Sequence, residues 1–143
     1  MSTGVYAYIT MDGTGKEAID FYKNALDAEV SGVQTFGDLP ENPEFALPDE
    51  AKNRVLHAQV QVGNTYFMLS DTFPGQPLDK GSQVNVCVTL ENLEKSESVF
   101  EKLKVDGKVI MPLQETHWSP SYGQVKDKFG ITWQISTNLQ ECM

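Results

Sequence analysis

Residues 5–30 of this 143-residue chain align without a gap to residues 84–109. Identities fall at Val5/Val84, Thr10/Thr89, Lys16/Lys95, Phe21/Phe100, Lys23/Lys102, Asp27/Asp106 and Val30/Val109. Composition alone gives roughly two matches in a window of this size, so the chain reads as one unit used twice. Each copy opens on an alternating run, 5–11 and 84–90, that predicts a strand. A helix start follows. In the first copy Thr14 stands three residues before Glu17, a capping-box pattern, and Ala18, Phe21, Tyr22 and Ala25 recur at helical spacing. In the second copy Asn92 is the candidate cap, with Leu93, Phe100 and Leu103 as the apolar stripe.

Three more strands are expected after each helix. The first copy offers 29–36 and the hairpin 55–62/65–70 around Gly63-Asn64. The second offers 108–111, 124–126 and 131–136, the last entered through Asp127-Lys128-Phe129-Gly130. Residues 37–53, with three prolines and five acids, read as a long irregular connection, either a lid, a partner-binding arm or disorder. Its Phe45-Ala46-Leu47 run is a candidate cover for a cavity mouth. The predicted organisation is one domain over 1–143 with modules 1–72 and 83–138 joined by a linker at 73–82.

The strands have two faces. Leu56, Ala58, Val60 and Val62 point one way with Phe67 and Leu69, while His57, Gln59 and Gln61 face Tyr66, Met68 and Ser70. In the second copy Asn85, Cys87, Thr89, Thr132, Gln134 and Ser136 continue the polar set. Such a face is either solvated or the lining of a cavity between two curled sheets. Tyr66 and Met68 among the polar groups favour the cavity. The expected lining is His57, Gln59, Tyr66, Met68, Ser70, Asn85, Cys87, Trp118, Tyr122 and Gln134. Trp118 and Tyr122 lie in a loop whose aromatics either stack on a flat ligand or pin the loop to the core.

Several chemistries are disfavoured. A formal charge of −9 repels a phosphate backbone, so general nucleic-acid binding is not expected. Cys87 and Cys142 form no metal-ribbon or disulfide spacing, which points to a reducing, cytoplasmic setting. No signal-peptide pattern opens the chain, and no apolar run nears the ~20 residues that span a bilayer. The sequence Gly13-Thr14-Gly15 lacks the third glycine of a dinucleotide fingerprint, and no Gly-x-Ser-x-Gly elbow exists.

The paired strand–helix–three-strand pattern resembles the vicinal oxygen chelate superfamily of glyoxalase I, bleomycin-resistance proteins and extradiol dioxygenases, and within it the PhnB-like branch. The resemblance rests on Lys16-Glu17-Ala18-Ile19-Asp20-Phe21-Tyr22, Gln34-Thr35-Phe36-Gly37-Asp38, and His57-Ala58 leading to Met68-Leu69-Ser70-Asp71. It continues in Gln114-Glu115-Thr116, Trp118, Tyr122-Gly123, Asp127-Lys128-Phe129-Gly130 and Trp133. It implies an α+β fold of two tandem βαβββ modules forming curled mixed sheets, a cavity between them and helices outside. It also implies a homodimer. Branch members labelled as ubiquinone-pathway methyltransferases would need a glycine-rich loop for a methyl donor, which this chain lacks.

Metal-dependent members place a His on the first strand and a Glu on the last strand of each module. The resemblance carries these positions onto Tyr6 or Ala7, Asn85, Met68 or Ser70, and Gln134. None is an imidazole or a carboxylate, so the expectation is no metal and no cofactor. A divalent ion on a different set drawn from His57, Asp71, Glu115 and His117 is the alternative. His57 is the candidate catalytic base, its reference pKa of ~6.5 lying near neutrality. The expected function is a metal-free binding protein for a hydrophobic or aromatic small molecule. The alternatives are a lyase, isomerase or dioxygenase with a non-standard metal set, and an interaction module with a vestigial cavity.

Overall fold

The computed structural model describes residues 3–44 and 46–138. Phe45 and Cys142 lie outside the described residues. The chain divides into two compact units, Met1–Asp79 and Lys80–Met143.

The first unit runs β1 (Tyr8–Met11), α1 (Gly15–Leu26), β2 (Glu29–Thr35), a single 3-10 turn (Phe36–Asp38), α2 (Asp49–Lys52), β3 (Val55–Val62) and β4 (Thr65–Asp71). Its sheet has the order β1-β4-β3-β2, with β1 parallel to β4 and the other pairs antiparallel. The second unit runs β5 (Val86–Leu90), α3 (Leu93–Leu103), β6 (Lys108–Gln114), β7 (Tyr122–Lys126) and β8 (Thr132–Thr137). Its sheet repeats the first, in the order β5-β8-β7-β6 with β5 parallel to β8. The helix exits match as well: Asp27 at φ 52° and Asp106 at φ 58° both take the left-handed conformation, which a short Asp side chain tolerates. The repeat read from the sequence is therefore two copies of βαβββ.

Each helix packs on one face of its sheet because only that face is apolar. In the first unit Ala58 pairs with Leu69 and Val60 with Phe67. All four are buried with Ala18, Tyr22, Ala25 and Leu26 of α1, and the Tyr22 and Phe67 rings meet edge to face at 5.8 Å. In the second, Val88, Val125, Trp133 and Ile135 are buried with Val99, Phe100 and Leu103 of α3. Each fully buried large side chain contributes ~1.5–3 kcal/mol. Gly123 is required here, since a Cβ would stand 2.9 Å from the Phe100 ring and 3.0 Å from the Met111 carbonyl.

Several expectations are corrected. Thr14 makes no side-chain cap. Instead Asp71, reaching from β4, accepts hydrogen bonds from Gly13 N (2.8 Å) and Gly15 N (2.9 Å) on Oδ1 and from Val55 N (2.8 Å) on Oδ2. A carboxylate at a helix start satisfies donors that the helix leaves open and complements its dipole. In α3 the cap is local as expected, with Asn92 accepting from Lys95 N at 2.8 Å. Leu93 is 52% exposed and does not join the core stripe, which begins instead at Ser96. The 37–53 connection is not wholly irregular: it holds part of the 3-10 turn and all of α2, anchored by the fully buried Ala51. β1 and β5 begin later than their alternating runs, and β6 runs on through Pro112, tolerated on an edge strand with shifted register. Among the described residues no helix is long and apolar enough to cross a membrane.

Candidate functional site

Alternation sends the polar positions of each sheet to the face away from its helix. In the first unit Tyr8, Met68 and Gln59 form one row of paired residues across β1, β4 and β3. Tyr6, just before β1, stacks on Tyr66 with ring centroids 4.6 Å apart and planes 18° from parallel. A hydrogen bond between these two phenols raises the Tyr66 pKa, with desolvation and the Tyr6 charge adding to it. Tyr8 donates to Ser70 Oγ at 3.1 Å, and its ring stands 6.1 Å from the half-buried His57. This face is an aromatic shelf edged with hydroxyls.

The second unit presents amides instead. Cys87, Gln134 and Gln124 form the row that corresponds to Tyr8, Met68 and Gln59. Gln134 Nε2 donates to Asn85 Oδ1 (3.2 Å), and Asn85 Nδ2 donates to the Ser82 carbonyl (2.9 Å). Tyr122 donates to Gln134 Oε1 (2.8 Å) and accepts from Gln124 Nε2 (3.1 Å). Trp118 is 66% exposed and meets the Tyr122 ring edge to face at 5.1 Å, so it packs on the site rather than in the core.

The expected residues thus fall into two sets on separate units: His57, Gln59, Tyr66, Met68 and Ser70 on one face, and Asn85, Cys87, Trp118, Tyr122 and Gln134 with the other. Sequence reasoning missed Gln124 and Tyr8 as members. Strict alternation, Gln124 two residues after Tyr122 and Tyr8 two after Tyr6, carried the signal.

The positions equivalent to the superfamily's metal ligands do not fit a divalent ion. Tyr6 is stacked, Ser70 receives Tyr8, Met68 offers a soft thioether, and Asn85 and Gln134 are bonded to each other. No anionic or imidazole donor is among them. Within the first unit the alternative set does not gather around His57. Asp71 lies on the helix side of its strand with both oxygens bonded to backbone N–H groups, so it does not stand beside His57. Glu115 and His117 are exposed on the loop between β6 and β7. Among the described residues no three His, Cys, Asp or Glu side chains gather closely enough to hold a metal.

Cys87 is exposed, yet partial desolvation by the surrounding protein raises its thiol pKa. Less thiolate at neutral pH means slower nucleophilic attack. In a Cys142→Ser background, alkylation by iodoacetamide at pH 7.5 is expected to be slower than that of an unstructured cysteine peptide, and to climb steeply above pH 9. A rate above the peptide's at pH 7.5 would contradict this.

Residues 3–136 match the family described as 3-demethylubiquinone-9 3-methyltransferase. The chain is 30% identical over 145 residues to protein YjdN of Escherichia coli K12, covering 94% of this chain and 95% of that one. It is similar to the solved structure of PA1353 from Pseudomonas aeruginosa, with a TM-score of 0.84 and 28% identity over 97% of this chain and 100% of that one. A Bacillus cereus structure described as a putative 3-demethylubiquinone-9 3-methyltransferase, PhnB protein, shares the fold. Its TM-score is 0.76 and its identity 24%, over 95% of this chain and all of that one.

Proposed function

The chain belongs to the 3-demethylubiquinone-9 3-methyltransferase family, the PhnB-like branch of the glyoxalase/bleomycin-resistance/dioxygenase fold, and we propose that it binds a small aromatic molecule without a metal ion. The observation that carries this reading is that neutral Asn85 and Gln134 stand at two chelating positions bonded to each other, with the Tyr122 hydroxyl donating to Gln134. Within the same unit the exposed Trp118 ring meets Tyr122, and the first unit has accessible aromatic surfaces of its own in Tyr6 and Tyr8. A flat ligand gains apolar burial from such rings and orientation from the amides. The family's methyltransferase description is not carried over, because the β1–α1 turn holds only Gly13 and Gly15 and no glycine-rich cradle for a methyl donor.

The test is metal uptake by protein purified without immobilised metal, titrated with Mn, Fe, Ni and Zn salts. The expected result is no binding above buffer, together with thermal stabilisation by aromatic compounds that weakens in Trp118→Ala. Tight, near-stoichiometric metal binding that is lost in His57→Ala would overturn the reading and make the protein a metal-dependent enzyme.

The protein is also proposed to act as a homodimer in a cytoplasmic setting. Exposed Val109 and Ile110 on the edge strand β6 support the dimer, since apolar edge positions favour coverage by another surface. Sedimentation equilibrium at micromolar concentration is expected to give twice the chain mass. The mass of one chain would refute it.

A further inference from the structure

The polar row of the second unit is a chain of hydrogen bonds with a fixed direction, and that direction says what it can recognise. The chain ends on the backbone carbonyl of Ser82, which can only accept. The Asn85 amide nitrogen must therefore face it, leaving Asn85 Oδ1 to accept from Gln134 Nε2 at 3.2 Å. Gln134 Oε1 then accepts from the Tyr122 hydroxyl at 2.8 Å, and the phenol oxygen accepts from Gln124 Nε2 at 3.1 Å. One main-chain carbonyl thus sets the orientation of three side-chain amides and a phenol.

A primary amide has two N–H donors and two acceptor lone pairs. Gln134 uses one of each within the relay, and Gln124 uses one donor. Each glutamine therefore keeps one N–H and at least one carbonyl lone pair for a further partner. The two are directly paired across β7 and β8, and both are only half-buried. Their neighbour in the same row is Cys87, whose thiol is pushed by partial desolvation away from the charged form. A carboxylate or phosphate laid here would meet carbonyl oxygens, and an ammonium group would meet N–H groups. A neutral edge with a donor and an acceptor side by side meets neither conflict. The exposed Trp118 ring, edge-on to Tyr122, adds a surface for a flat ring carrying that edge.

We infer that Gln124 and Gln134 read the lactam or imide edge of a neutral heteroaromatic ligand, an adjacent ring N–H and C=O. This rests on the small-molecule reading above and narrows it to a ligand class.

The test compares quinazolin-4(3H)-one with its N3-methyl derivative and with 1-naphthoate by calorimetry on the full chain. The side-chain NH2 resonances of the glutamines are followed by NMR. The lactam is expected to bind with at least about tenfold higher affinity than the N-methyl compound, the scale of one lost hydrogen bond that leaves a partner unmatched. It should also shift the Gln124 and Gln134 resonances, and Gln134→Leu should erase the preference. Tyr122→Phe, which cuts the relay while keeping the ring, should reduce it. Equal affinity for the lactam and its N-methyl derivative, a preference that survives in Gln134→Leu, or no lactam binding at millimolar concentration would each overturn the inference. Binding of all three compounds alike, weakened in Trp118→Ala, would overturn it while leaving the small-molecule reading intact. Metal uptake decides that reading separately.

Discussion

Asp71→Ala is expected to lower the unfolding free energy by about 3–5 kcal/mol, read as a shift in urea midpoint followed by circular dichroism. The carboxylate is 5% exposed and accepts from three backbone N–H groups, on Gly13, Gly15 and Val55. Alanine leaves the buried Gly15 and Val55 donors with no acceptor, while the part-buried Gly13 N–H can turn to water. Asp71→Asn keeps one oxygen for the helix start but turns an NH2 group toward Val55 N, so its loss should be smaller but still measurable. A loss under about 1 kcal/mol in the alanine variant would mean that water replaces the carboxylate at little cost.

Trp133→Ala is the second large effect, expected at about 3–5 kcal/mol from the lost burial and the cavity left behind. The indole is 1% exposed, and its Nε1 donates to Asp127 Oδ2 at 2.8 Å. The other oxygen of Asp127 accepts from Phe129 N (2.9 Å) and Ile131 N (3.0 Å), which shapes the turn into β8. The alanine variant therefore empties a core position and removes a donor from a buried acid at once. Trp133→Phe separates the two: it fills much of the volume and isolates the hydrogen bond, at about 1–3 kcal/mol. If both variants unfold at the same urea concentration, the hydrogen bond rather than the volume dominates.

What the sequence disclosed follows from how local each cause is. The hairpin over β3 and β4 was legible because strict alternation and Gly63-Asn64 encode both the strands and their register, and Ala58 does pair with Leu69. The Asn92 cap was legible because donor and acceptor lie three residues apart. The start of α1 was not: the acceptor for Gly15 N lies 56 residues downstream, and no window of local pattern contains it. The same distance misplaced Asp71 among candidate ligands, since its neighbour Ser70 does share the face of His57 while Asp71 does not. For the candidate site, the repeat together with alternation pointed to Asn85 and Gln134, whereas Tyr122, read as a loop residue, is the first residue of β7. The hydrogen-bond order among them depends on the Ser82 carbonyl, a main-chain group that no residue type announces.

The contrast between the two helix starts bears on how the chain is made. Helix α3 carries its own cap, so once Lys95 has left the ribosome its first turn has all it needs. Helix α1 emerges before the acid that completes it. At ~5–20 residues per second, the 56 residues between Gly15 and Asp71 take roughly 3–11 s to synthesise. Throughout that interval the nascent amino-terminal half has an amphipathic helix whose entry is uncapped and whose sheet lacks the inner strand β4. The apolar side of α1 is then open to whatever meets it first. During synthesis the earlier copy of the repeat thus waits for its helix cap as well as for the inner strands of its sheet, while the later copy waits for its strands alone.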